Sequence, residues 1–223
     1  VRFALALLAA ALVADPGAAQ VRSSRVDLPR VAPSRDATLT SLLEQRHSVR
    51  EFSDRSLELA EVAQVLWAAM GLNRPDGRRT VPSAGALFPL DVYVVAGDVR
   101  GLAPGVYRYV PHEHALEPTA AGDRRTPLVR AALRQEWAAR APAIVVVTAE
   151  YERTTVKYGD RGVRYAHMEV GAVAQNVYLQ CAALNLGTTF VGAFDDEKVG
   201  AVLELPAAHR PLALLPVGTP GTR

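Results

Sequence analysis

A long stretch from roughly Arg164 to Leu186 constrains the fold more than any other feature, because it reads as one helix that is apolar on more than one face. Val170, Val173, Ala174, Val177, Cys181, Ala182 and Leu184 spread around the axis instead of lining a single stripe. Such a helix has to be covered on several sides, and Gly187 is its expected stop. The chain has 223 residues, 49% of them apolar, which is enough for one good core and too few for two ordinary enzyme domains.

The remaining patterns supply the cover. Leu39, Leu42 and Leu43 show helical spacing up to Arg46, and Ser56 is placed to cap a second helix whose stripe is Leu59, Val62, Val65, Leu66 and Ala69, ended by Gly71. Asn73 to Arg79 is polar and punctuated by Gly and Pro, hence a surface loop. Leu90 to Ala96 reads as a strand, Gly105 to Val110 and Ala115 to Pro118 as a hairpin, and Ala143 to Ala149 as a buried strand. Between them Pro127 to Ala139 reads as a helix or helix pair. Thr188 to Phe194 reads as a strand, Asp195 caps a short helix to Leu203, and Leu212 to Val217 is the last strand. Helices and strands do not alternate as in a parallel doubly wound sheet, so the expected class is α+β.

At the N-terminus Arg2 precedes the apolar run Phe3 to Ala14, then Pro16, Gly17 and the small pair Ala18 and Ala19. That order is the order of a secretory signal, and the run is shorter than the about 20 apolar residues a membrane span needs. Residues 1–19 are therefore expected to be a cleavable signal, 20–38 an extended leader and 39–223 the folded domain. The expectation is export to the periplasm or beyond, while an intact start at residue 1 would keep the chain cytoplasmic. A net charge of +2 offers no broad footprint for nucleic acid. One cysteine, Cys181, forms no internal disulfide, and no Cys/His spacing resembles a zinc site, so no metal is expected. His112-Glu113-His114 falls at a hairpin tip, where a solvated polar turn is the ordinary outcome.

Phosphate-binding loops, dinucleotide fingerprints, metalloprotease helices and nucleophile elbows are all missing from the sequence. Three other stretches suit a flat, phosphorylated ligand. In Arg46-His47-Ser48-Val49-Arg50 two guanidinium groups four residues apart project to one side if the helix continues, with the Ser48 hydroxyl between them. In Val81 to Pro89, Pro82, Ser83, Ala84 and Gly85 are small or rigid and let a planar ring approach the main chain. In Phe190 to Phe194, Gly192 leaves room over a backbone N–H. Each alone has a plainer reading: a solvated helix end, a tight loop, a bulge.

Together, RHSVREF, PSAGALFPLDVYVV, GVYRYVPHEHALEP, the run from VKYGDRGVRYAH to VGAFDD, and PLALLPVGTP resemble the nitroreductase superfamily, in its SagB-type, thiazoline/oxazoline dehydrogenase-like branch. The resemblance covers about Arg46 to Pro220. It implies a nitroreductase-like α+β fold, a mixed and mainly antiparallel sheet flanked by helices, with a long central helix packing against a partner in a homodimer. It implies FMN as cofactor, with Arg46, Ser48 and Arg50 on the phosphate and ribityl chain, and Pro82, Ser83, Ala84 and Gly85 along the ring from the other subunit. Gly192 and Ala193 would offer N–H groups to the ring edge, and Gln175 is a further candidate. Many relatives carry a basic residue where this chain has Thr219; either Arg223 takes that place or Arg46 and Arg50 suffice for the phosphate.

The same resemblance points to Lys157 and Tyr158, the place of a pair that removes a proton while FMN takes a hydride, although Thr154 to Arg164 by itself reads as a polar loop. The implied activity is an FMN-dependent oxidoreductase acting on a small organic molecule, with NAD(P)H, oxygen or a quinone as electron partner. The alternatives are an azoline dehydrogenase acting on a heterocycle-containing peptide and a flavin-binding protein without turnover.

Overall fold

The structure, a computed structural model of the chain, describes residues 25–32, 37–133 and 135–221. The expected signal at 1–19 and Arg223 lie outside the described residues. In chain order the elements are β1 (Val26–Asp27), α1 (Leu39–Gln45), β2 (Leu57–Glu58), α2 (Leu59–Met70), a 3-10 turn (Ala84–Ala86), β3 (Leu90–Ala96), β4 (Val99–Arg100), β5 (Gly105–Val110) and β6 (Ala115–Ala121). There follow α3 (Arg125–Ala131), a second 3-10 segment (Glu136–Arg140), β7 (Ala143–Ala149), α4 (Glu152–Tyr158), α5 (Arg161–Ala183), β8 (Gly187–Thr188), α6 (Asp196–Leu203) and β9 (Arg210–Gly218).

Seven strands pair in the order β1-β6-β5-β3-β7-β9-β8, each neighbour antiparallel, while β2 and β4 form a short parallel pair beside them. At the centre β7 reads AIVVVTA with no polar alternation because both faces are covered. Val145 and Val147 pack with Leu66 of α2 and Val173 of α5, and Ile144 and Val146 pack with Leu128 of α3 and Leu203 of α6. The molecule is thus a sheet between two helical layers, the α+β class expected.

Within the first layer α5 buries Ala166, Val170, Val173, Ala174, Val177 and Cys181. It starts three residues earlier than its apolar pattern, where it approaches α4 so closely that a Cβ on Gly162 would lie 2.8 Å from the Thr154 main chain. It also ends earlier: Leu184 caps it and Asn185 takes the left-handed turn, so that Gly187 is free to enter β8.

Other expectations are corrected by hydrogen bonding. Residues 25–32, read as leader, join the fold: β1 extends the sheet on β6, Leu28 is buried, and Gln64 donates to the Ala32 carbonyl at 2.7 Å. The His112–His114 tip is where they dock, since His114 bonds the Pro29 carbonyl at 2.9 Å and Glu113 pairs with Arg25. Ser56 does not cap α2; the helix begins at Leu59, and Glu61 accepts the Glu58 N–H at 2.9 Å. The strand expected at Thr188–Phe194 is reduced to β8 and one bridge at Val191, because the Phe190 N–H goes to the Tyr178 hydroxyl and not to a strand. Among the described residues no helix is long and apolar enough to cross a membrane.

Leu66 is fully buried between α2 and the sheet. Leu66→Ala should lower the unfolding free energy by about 3 kcal/mol, read from urea denaturation, whereas the same change at exposed Leu43 should cost under about 1 kcal/mol.

Candidate functional site

The loop entering β3 is held by one carboxylate. Glu169, buried on α5, accepts the Ser83 hydroxyl at 3.0 Å and the Ala84 N–H at 2.8 Å on the same oxygen. The Ser83 oxygen in turn accepts the Phe88 N–H at 2.9 Å, closing the loop on itself. Gly85, Ala86 and Phe88 all have positive φ, which costs the last two about 1 kcal/mol or more each, so the loop keeps its shape through these bonds. Arg153 adds a bond to the Phe88 carbonyl at 3.2 Å and ion pairs to Asp91 at 2.8 Å and Glu150 at 2.6 Å.

Gly85 is where that loop meets the end of α4. A Cβ there would lie 2.7 Å from the Tyr158 hydroxyl and 3.1 Å from the Lys157 Nζ, so the close approach depends on glycine. Two stretches 72 residues apart in sequence, at Gly85 and Lys157, are thereby brought together, and the segment read as a polar loop is the helix α4 and the start of α5. Tyr158 stacks edge-on against Tyr165 with centroids 5.2 Å apart, and the Lys157 Nζ lies 5.3 Å from the Tyr158 ring. Lys157 is exposed, so one chain alone does not supply the partial burial expected of a proton-removing lysine.

A second group gathers on Tyr178. Its hydroxyl lies 3.1 Å from the Ser48 hydroxyl and accepts the Phe190 N–H at 2.8 Å, and the Arg46 guanidinium sits 5.3 Å from its ring centre. The helix carrying Arg46 stops at Gln45, so Arg46 and Arg50 are not related by helical spacing. The chain runs on with isolated bridges from Ser48 to Thr188 and from Phe52 to Pro220. Arg50 lies over Trp137 at 6.0 Å and does not reach Tyr178. A cavity of about 530 Å³ opens beside this group, lined by Arg46, His47, Tyr178, Asn185 and Thr188 among others.

Gly192 and Ala193 are exposed beyond Phe190, and their N–H groups have no partner among the described residues. Gln175 is half-buried on α5, and its side chain has no hydrogen bond among them. The Thr219 hydroxyl accepts Arg55 Nε at 2.6 Å, but that guanidinium is also bound to Glu61 at 2.8 Å. Glu169 and Tyr178 are nine residues apart on α5, about 13 Å along its axis, so one chain keeps the two groups separate.

Behind the loop, donor atoms of Asp91, Glu150 and His209 lie within 4.8 Å of one another. Arg153 already pairs with both carboxylates, so a cation there would have to displace a guanidinium. Glu169, Tyr178 and Arg153 were not singled out in the sequence. Glu169 had a signal, an acidic residue three positions after Ala166 on the buried face of α5; Tyr178 and Arg153 act through contacts with distant segments that no local pattern announces.

Residues 43–219 match the model of the Nitroreductase family. The chain is 47% identical over 180 residues to MJ1384 of Methanocaldococcus jannaschii, a protein named as a nitroreductase, covering 81% of this chain and 90% of that one. It is 28% identical to the microcin B17-processing protein McbC of Escherichia coli over 69% of this chain, and spans 59% of that protein's length. A crystal structure from Ralstonia eutropha JMP134, also named as a nitroreductase, superposes with a TM-score of 0.80 at 29% identity, over 91% of this chain and 92% of that one.

Burial raises the Glu169 carboxyl above its ordinary value of 4.5, while the bonds from Ala84 and Ser83 and the charge of Arg79 pull the other way. The folded state therefore holds this proton more tightly than the unfolded chain, and the stability it brings is full below the ordinary value and lost as pH rises through the folded one. Glu169→Gln keeps an acceptor for the loop but cannot ionise. Denaturation at about pH 4 and about pH 8 should show the variant gaining stability relative to the parent chain at the higher pH; a constant difference would contradict this.

Proposed function

Because the chain belongs to the nitroreductase family, we propose that it is an FMN-dependent oxidoreductase passing hydride through bound flavin to or from a small organic substrate. The observation that carries the proposal is the packing of Gly85 against Lys157 and Tyr158, which joins a loop open to a flat ring and a pair able to move a proton. Two features of the chain fit a flavin. Pro82 and Gly85 are exposed on a loop of small residues whose main chain a flat ring can approach, and Arg46 and Ser48 gather at Tyr178 beside a cavity, as cationic and hydroxyl donors for a phosphate.

In this reading Arg46, Ser48 and Arg50 hold the phosphate and ribityl chain, while Pro82, Ser83, Ala84 and Gly85 lie along the ring. Gly192 and Ala193 present their N–H groups to the ring edge, with Gln175 as a further donor. Bound FMN supplies a two-electron acceptor that splits the reaction into two half-reactions. Lys157 receives the proton that leaves the substrate as its hydride departs, and Tyr158 positions that amine. A second copy related by a twofold axis unites the Arg46 group of one chain with the loop of the other, and covers Lys157. The outer face of α5, where Met168 is 62% exposed, is the surface for that copy.

The likeness to the microcin-processing McbC, together with the Lys157–Tyr158 pair, favours a second reading: oxidation of an azoline ring in a modified peptide. The N-terminal signal-like run supports action after export, where oxygen or a quinone replaces NAD(P)H as the electron partner.

The purified chain should show the flavin absorbance bands, at least after FMN is added. Lys157→Met should keep those bands and lose turnover by about a hundredfold or more. Arg46→Ala should weaken FMN binding by about tenfold. No flavin absorbance even with added FMN would overturn the reading.

A further inference from the structure

A second cavity, of about 440 Å³, lies between the 73–79 turn and the Pro82–Phe88 loop. Three guanidinium groups, of Arg74, Arg78 and Arg79, meet an apolar wall of Val81, Ala86 and Phe88 there. The turn is well closed: Asn73 N–H bonds the Arg78 carbonyl at 3.0 Å, Thr80 N–H bonds the Gly71 carbonyl at 2.9 Å, and Pro75-Asp76-Gly77 makes the bend. The three arginines are thus presented by an ordered segment.

Arg79 is the informative one. Its guanidinium lies 4.4 Å from the centre of the Phe88 ring, which fixes the plane of the fork, and its enclosed Nε has no hydrogen-bond partner among the described residues. The acidic groups whose charge reaches it, Asp91 and Glu169, are engaged by Arg153 and by Ser83 and Ala84. Arg74 has no carboxylate partner among the described residues, and Arg78 pairs with Asp76 at 3.3 Å only on the exposed surface, where such a pair contributes little. Burying a guanidinium beside two others without an anion is unfavourable unless an anion completes the site.

We propose that this pocket binds the acid group of a small anionic substrate, a carboxylate or phosphate carried on a flat apolar body. Arg79 takes the oxyanion as a planar fork, Arg74 and Arg78 add charge at the mouth, and the Phe88–Val81 wall takes the body. Ser83 lines the same cavity, and two residues on Gly85 touches Lys157 and Tyr158, so an acid held here leaves the rest of the molecule beside the proposed chemistry. The proposal rests on the oxidoreductase reading for what happens to the ligand, but not for its binding.

The test is calorimetric titration of the FMN-saturated protein and of the protein as purified with benzoate, phenyl phosphate, adenosine 2′-monophosphate and neutral benzamide. Benzoate or phenyl phosphate should bind saturably at least about tenfold more tightly than benzamide. Arg79→Gln should remove about tenfold or more of that affinity, and Arg79→Lys should restore only part of it. Tighter binding of adenosine 2′-monophosphate than of either simple acid would place the phosphate on a nucleotide donor and overturn the substrate assignment. Should Arg79→Gln fail to fold, the surface double variant Arg74→Gln/Arg78→Gln decides, with a loss of about threefold or more expected. Equal binding of benzamide, unchanged binding in the variants, or competition between benzoate and FMN would overturn the proposal. Lack of flavin with benzoate binding intact would overturn the oxidoreductase reading alone.

Discussion

The structure depends on a single buried carboxylate set in an otherwise apolar helix face. Glu169 lies between Ala166 and Val173 on the side of α5 that packs into the core, and both polar bonds it accepts come from Ser83 and Ala84. A buried carboxylate is tolerable only when it is bonded, so the loop and the helix fix each other. The strain of three left-handed positions at Gly85, Ala86 and Phe88 is held by the same contact, with Arg153 bracing the far end of the loop.

From that anchor the geometry of the site follows. The braced loop presents Gly85 to Lys157 and Tyr158, and Gly162 lets α4 lie close enough to α5 to keep them there. About two and a half turns further along α5, Tyr178 gathers Arg46, Ser48 and the Phe190 N–H. One helix therefore organises both groups, each from a different length of its surface.

Much of this was legible in the sequence where short-range physics decides it. β3, β5 and β7 follow apolar runs bounded by turns, and the side chain of Asp195 caps α6 by accepting the Lys198 N–H, as its position suggested. The end of α5 was not legible, because Asn185 adopts the left-handed turn that glycine usually takes. Nor was the geometry of Arg46 and Arg50: the spacing of four suggested a helix, and the helix instead stops at Gln45, leaving Arg46 over Tyr178 and Arg50 over Trp137. The meeting of the loop with α4, and the roles of Glu169 and Tyr178, arise from long-range packing that no local window contains.

The proposed shared site is tested most directly by mixing Arg46→Ala and Lys157→Met at an FMN concentration that loads the parent site but not the Arg46→Ala site, under conditions that let subunits exchange. If Arg46 of one chain serves the same site as Lys157 of the other, half of the mixed population carries one intact site, and turnover should return to about a quarter of the parent value. Turnover that stays at the level of the separate variants, with exchange shown by mass spectrometry, would contradict a site built from two chains.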